Sequence, residues 1–308
     1  MSSPDPDLQP LAQLARSGAV AVHLGAPAAL RLRGPDVRRW ASGMFTNHVQ
    51  KLPVGHSNRQ LGCDDRGRIQ FVLRLAVVAE DELLVLLEGG DPAAFLQRYQ
   101  MVMVLDDIEA EPVEDVVLVH ICGPAADQAL ASAGLPVPRT GWSREGDREA
   151  LRHDRTGLGG VDLLLPAGAP PPIGLPEAPP ALIDALRVRA GRAAWPADGT
   201  DRSLAHELGL QADACAFDKG CYVGQEVLNR LDVRGGVQKR LTAVRLDGPV
   251  PPGAAVTLGD DEVGALTSLS ALDGEHLGIG VLRKAVWEPG TRVVVSGVAG
   301  EVVPLPRS

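Results

Sequence analysis

From Val237 onward the chain reads as short strands and nothing else, with candidates at Lys239 to Leu246, Ala254 to Leu258, Glu262 to Ser268, Leu277 to Leu282 and Arg292 to Val295. Each is cut off by Gly, Pro or Asp. Strands with no helix to cover them must close on themselves or leave bare edges, so a small barrel is expected here. The residues before it read differently. Ala19 to Leu24 and Ala28 to Arg33 are short β-rich runs, and Pro35 to Ser42 follows as a helix opened by proline. A meander comes next: Ser57 to Cys63, the turn Asp64-Asp65-Arg66-Gly67, Arg68 to Val78, a break at Ala79-Glu80-Asp81, and Glu82 to Glu88. Asp91 is placed to cap a helix running from Pro92 to about Val102.

Two junctions echo each other. Leu30 to Arg33 runs into Gly34-Pro35, and Val117 to Cys122 runs into Gly123-Pro124, each a strand turning into a helix. Two similar α+β units are the natural inference. Seven prolines between Pro166 and Pro180 exclude a packed helix or a central strand and mark a stiff connector. A helix resumes over Ala181 to Ala190, closed by Gly191. The expected organisation is an α+β region over 1–236, made of two interwoven lobes, and a β-barrel over 237–308.

Composition narrows the function. With 308 residues, 45% of them hydrophobic, the chain can bury a large core. Its net charge of −9 speaks against coating a polyphosphate, so no direct nucleic-acid binding is expected. No apolar run approaches the roughly 20 residues that cross a bilayer. Met1 to Asp7 is polar and Pro-rich, with neither the basic nor the apolar region of a secretion signal, so no membrane contact and a cytoplasmic location are expected. Cys63, Cys122, Cys215 and Cys221 include no C-x-x-C pair and read as free thiols, with no metal site.

The segment richest in chemistry is Asp218-Lys219-Gly220-Cys221-Tyr222-Val223-Gly224-Gln225-Glu226. Val227, Leu228 and Leu231 continue it at helical spacing, which places Cys221 and Tyr222 just before a helix N-terminus. The partial positive charge there, with Lys219 close by, favours a thiolate at Cys221. Lys219, Arg230, Arg234, Lys239 and Arg240 outnumber Asp218, Glu226 and Asp232, a local reversal in an acidic chain that suits an anionic ligand. The same loop also suits a tight turn with a buried thiol and an aromatic plug.

The run K-G-C-Y-V-G-Q-E at Lys219 to Glu226, then Asn229-Arg230 and R-G-x-x-x-K-R-L from Arg234 to Leu241, resembles the signature of the YgfZ family. These are folate-binding proteins related to the aminomethyltransferase (T-protein) of glycine cleavage. Gly34-Pro35-Asp36, Thr46-Asn47, Gly67-Arg68, Arg187 to Pro196 and Glu207 to Leu210 extend the likeness along the chain. The resemblance implies an α+β, T-protein-like three-lobed fold, with two α+β (ferredoxin-like) lobes and a C-terminal small β-barrel around a folate-sized opening. It implies tetrahydrofolate, or a folate derivative, as cofactor. The implied role is assembly or repair of iron–sulfur clusters, including those of tRNA-thiomethylating enzymes, with iron–sulfur client proteins as partners. The alternative is a folate-dependent aminomethyltransferase of glycine-cleavage type.

By the same resemblance Cys221 is the functional thiol, and Lys219, Gly220, Tyr222, Gly224, Gln225 and Arg230 belong to the cofactor site. Glu207 falls where an acid recognises the pterin, whose amino group and ring N–H a carboxylate accepts in parallel. His48 stands where the family pattern carries Asp, so a function needing a carboxylate at that step is in doubt.

Overall fold

The computed structural model describes residues 7–169 and 174–305. The polar start, apart from Asp7, and residues 170–173 of the proline-rich connector lie outside the described residues.

The chain begins in one sheet, builds a second, and returns to the first. Val20–Gly25 lies in a six-stranded sheet beside Val116–Cys122, which pairs with Gly160–Pro166, then Arg148–Arg152 and Trp142–Glu145. The intervening segment forms a five-stranded sheet in the order Ser57–Cys63, Ile69–Ala79, Glu82–Leu87, Ala29–Arg33, Glu109–Pro112. Glu177–Ala178, at the end of the proline-rich stretch, adds a two-residue parallel strand at the edge of the first sheet. An edge is where a strand next to prolines can sit.

Apolar runs in these strands are nearly continuous because both faces of each sheet are covered. Leu73, Leu75 and Val77 pack with Trp40, Phe45, Phe95 and Tyr99 from helices Val37–Met44 and Pro92–Leu105 and the residues that follow. Ala76, Leu84 and Leu86 on the opposite face meet Leu118, Leu151 and Leu164 of the six-stranded sheet. The two sheets therefore pack face to face, with helix Ala126–Ser132 against the far side through Leu130.

Both strand-to-helix junctions have the shared geometry their sequences suggest. Gly34 and Gly123 take φ of +142° and +123°. A Cβ on Gly123 would stand 2.3 Å from the Gly18 carbonyl oxygen, and one on Gly34 2.1 Å from that of Asp107, so neither position admits a side chain. The helix after Gly34 starts at Val37 rather than Pro35 because Val37 N–H closes a turn onto the Gly34 carbonyl at 3.2 Å. Asp91 caps Pro92–Leu105 as expected, accepting from Ala93 N at 2.9 Å.

The C-terminal strands form a seven-stranded, nearly closed barrel. Its order is Asp261–Leu266, Ala254–Leu258, Arg292–Val295, Val298–Val303, Lys239–Leu246, His276–Arg283, Ser268–Ser270. The expected strand Glu262 to Ser268 is split at Thr267, whose N–H reaches the Ile279 carbonyl at 2.9 Å and brings the two ends of the sheet together. The expected α+β architecture of two sheet-containing lobes and a barrel is what the structure shows. No helix among the described residues is long and apolar enough to cross a membrane.

Candidate functional site

The signature segment is a junction between the first lobe and the barrel. Gly224 is the N-cap of helix Gln225–Arg234 with φ +84°, and a Cβ on it would lie 2.7 Å from the Asp64 carbonyl oxygen. The hairpin turn Asp64–Gly67 thus rests directly on the helix start. Lys219 points inward and donates from Nζ to the carbonyls of Phe45 and Asn47, both at 2.7 Å, with its ammonium 5.1 Å from the Tyr222 ring centre. Burial pushes its pKa down to about 8. The Tyr222 ring is buried among Leu61, Val72 and Leu228, and its hydroxyl has no hydrogen-bond partner among the described residues. Cys221 is exposed.

Thr46, Asn47 and His48 complete this junction. Thr46 Oγ1 donates to the Ala214 carbonyl at 2.6 Å and accepts from Leu61 N at 2.9 Å, and Asn47 Nδ2 reaches the Arg59 and Asp213 carbonyls, each at 3.1 Å. His48 Nε2 is 2.9 Å from Asp218 Oδ1. The hydrogen bond from His48 holds the Asp218 carboxyl below its usual range.

Two adjoining spaces, which share wall residues, lie inboard of this junction. A central cavity of about 210 Å³ sits between the two sheets and helix Ala181–Arg189, with Arg59, Arg74, Glu88, Arg155 and Arg192 in its wall. Arg59, Arg192, Ala193 and Asp213 also border a larger cleft of about 760 Å³, which reaches outward past Glu207 and Leu208 to the barrel residues Arg240 and Trp287. Arg240 lies over the Trp287 ring at 4.4 Å. Glu207 Oε2 accepts from Leu204 N at 3.1 Å and faces Lys239 Nζ at 3.7 Å, leaving Oε1 with no hydrogen bond among the described residues.

Behind the central cavity is a charge cluster that no motif in the sequence singles out. Asp162, fully buried, accepts from His120 Nδ1 at 2.8 Å, from His153 Nδ1 at 2.7 Å and from Arg155 Nη2 at 2.7 Å. His153 Nε2 lies 3.4 Å from Glu88 Oε1, and Glu88 pairs with Arg59. Burial works against both carboxylates being charged, yet Arg155 and His153 hold Asp162, and Arg59 and His153 hold Glu88, well below the usual carboxylate range. Burial pushes His120 the other way, towards the neutral form.

Of the residues singled out from the sequence, Glu207 borders the cleft. Cys221, Lys219, Gly220, Tyr222, Gly224, Gln225 and Arg230 are absent from the walls of both the cavity and the cleft. They gather at the N-terminal end and outer face of the signature helix, whereas its other end, Leu231 to Gly236, borders the cleft.

Comparison with known proteins agrees with this architecture. Residues 238–305 match the family model of the CAF17 C-terminal β-barrel domain. The tRNA-modifying protein YgfZ of Vibrio vulnificus is 27% identical over 301 residues, covering 91% of this chain and 89% of that protein. Shorter matches join a chloroplastic protein of Arabidopsis thaliana, 34% identical over 128 residues, and the mouse mitochondrial iron–sulfur cluster assembly factor IBA57, 38% identical over 73. They span 40% and 22% of this chain and only 29% and 20% of those proteins. The solved glycine cleavage system aminomethyltransferase T of Bartonella henselae superposes with a TM-score of 0.86 at 21% identity, covering 97% of this chain and 89% of that one. The fold is thus that of a T-protein. Along most of its length the chain is thus similar both to the YgfZ proteins and to the aminomethyltransferases.

Proposed function

We propose that this protein binds a reduced folate, tetrahydrofolate or a derivative, in the cleft between Ala205–Leu208, the signature helix and the barrel. The observation that carries this reading is the cleft itself. Its volume of about 760 Å³ suits a ligand of folate size, and it offers one carboxylate edge at Glu207, cations at Arg192 and Arg240, and apolar wall from Leu208, Leu210 and Trp287. A pterin edge presents two adjacent donors to a carboxylate, and a glutamate tail seeks guanidinium groups. When bound, the folate would serve as a carrier of one-carbon units, while Glu207 orients the ring and the arginines hold the tail.

Tetrahydrofolate should raise the melting temperature of the wild-type protein, since a ligand that binds only the folded state stabilises it. Glu207→Ala should weaken binding by at least about tenfold, the effect of losing a charged acceptor. Equal melting shifts in the two proteins would remove Glu207 from the site.

The use we propose for the bound folate is support of iron–sulfur enzymes through assembly or repair of their clusters, with Cys221 as the functional thiol. Exposed outside the cleft wall, Cys221 would meet a client protein rather than the folate. The match to the mouse assembly factor supports this. Aminomethyl transfer is the second reading, and similarity along the chain weighs on its side, since the aminomethyltransferase of Mycobacterium leprae aligns over 296 residues at 24% identity. Formation of methylenetetrahydrofolate from an aminomethylated lipoyl carrier would establish transfer. Folate binding without turnover, joined to loss of cluster-dependent activity in Cys221→Ala, would establish the accessory role.

A further inference from the structure

Five arginines border the central cavity, and four of them have a carboxylate. Arg59 pairs with Glu88 and, at 3.3 Å, with Asp213; Arg155 pairs with Asp162 at 2.7 Å, Arg187 with Asp198 at 2.7 Å, and Arg192 with Asp154 at 3.0 Å. The fifth is Arg74. Among the described residues it makes no hydrogen bond and no ion pair, and its Nε is sealed from solvent without a partner.

Its position makes this costly. Arg74 sits in the middle of strand Ile69–Ala79, directly opposite Arg59 in the antiparallel ladder with Ser57–Cys63. Like charges facing each other across a ladder repel, and a guanidinium taken out of water needs a counter-charge. The carboxylates that act on it are already committed: Glu88 is held by Arg59 and faced by His153, Asp162 has Arg155 and two histidines, and Asp213 pairs with Arg59. Arg74 therefore borders the cavity with no carboxylate of its own, since Glu88, Asp162 and Asp213, which attract it, are each bonded to another cation.

We propose that Arg74 anchors an anion subsite in the central cavity, separate from the Glu207 end of the cleft, that takes a carboxylate or a phosphate group. A planar guanidinium holds either through paired hydrogen bonds, and a space of about 210 Å³ admits such a group but not a whole folate. The source is either the tail carboxylate of a folate reaching in from the cleft or a free small anion. The subsite stands on its own geometry and does not depend on folate binding.

Calorimetric titration of the full chain with inorganic phosphate and with glutarate tests it, using wild type, Arg74→Met and Arg74→Lys. At least one probe should bind wild type saturably and bind Arg74→Met about tenfold or more weakly. Arg74→Lys keeps the charge but loses the fork, and should fold like wild type with intermediate affinity. Without any anion Arg74→Met should melt above wild type, because a buried unpaired charge has been removed. Absence of binding by both probes, or equal binding to wild type and the two variants, overturns the proposal. Displacement of the probe by tetrahydrofolate but not by tetrahydropteroate, which lacks the glutamate, assigns the anion to the folate tail; displacement by neither assigns it to a free anion. Arg74-dependent probe binding in a protein that takes up no folate would leave this subsite standing and end the folate reading alone.

Discussion

Asp198→Ala should destabilise the protein by about 3–5 kcal/mol, the range for breaking a buried ion pair from one side. Asp198 is buried and joins three parts of the molecule. Its Oδ2 accepts from Arg187 Nη1 at 2.7 Å and from Ala194 N at 2.8 Å, and its Oδ1 accepts from Thr267 Oγ1 at 2.5 Å and Ser268 Oγ at 2.6 Å. Arg187 Nη2 in turn donates to Ser268 Oγ at 2.7 Å. One carboxylate thus fastens helix Ala181–Arg189 and the loop after it to the barrel. Removing it takes the buried counter-charge from Arg187, which keeps Asp184 at the surface, the Arg192 carbonyl and Ser268 Oγ, and takes an acceptor from the Thr267 and Ser268 hydroxyls. Urea unfolding should show a midpoint well below that of wild type. A change within about 0.5 kcal/mol, typical of surface substitutions, would mean that water replaces the carboxylate without loss.

The second large effect concerns pH. Asp162 and Glu88 titrate in the folded protein well below their ordinary values, so their stabilisation is fully present above about pH 4, where the unfolded chain also ionises them. It is lost as pH falls below that value towards the folded ones. His120 adds to the trend from a higher pH. Its folded pKa is depressed, so below about pH 6.5 the unfolded chain takes up a proton that the folded one refuses. Stability should therefore decline as pH drops below about 6.5 and fall more steeply below about 4. Asp162→Asn should lose about 3–5 kcal/mol at neutral pH, because Arg155 keeps its charge without its partner, and should flatten the acid limb of the curve. Melting temperatures from about pH 3 to 8 would show both, and an acid limb equally steep in the variant would place the titrating group elsewhere.

The barrel and the meander are legible in the sequence because their signals are local. Lys239–Leu246, Ala254–Leu258 and Arg292–Val295 are short β-rich runs set between breakers, and their observed limits match the expected ones. Val298–Val303 escapes such a reading because Gly300 and Glu301 interrupt its apolar run; it is held by pairing with Arg292–Val295 on one side and with Lys239–Leu246, more than 50 residues earlier, on the other. The signature at Lys219 to Glu226 is readable as family likeness, but its side-chain directions are not. Lys219 turns away from Cys221 towards carbonyls 172 and 174 residues upstream, a contact no local pattern encodes.

The charge cluster is hidden for the same reason, although each member leaves a trace. Arg74 is the one charged residue of Ile69–Ala79, and His120 in Val116–Cys122 and Asp162 in Gly160–Pro166 are each a lone ionisable group among apolar neighbours. A charged residue in such a run needs a partner, and the run itself announces that need. Which partner it finds depends on how the two sheets stack.

The central claim is that a reduced folate occupies the cleft beside Glu207. Hydrogen exchange of the full chain with and without saturating tetrahydrofolate tests it most directly, because amides that order around a ligand slow their exchange. Added protection is expected over Glu207 to Asp213 and Gly235 to Leu241, the backbone that borders the cleft. Unchanged exchange there, or protection confined to the outer face around Cys221, would contradict it.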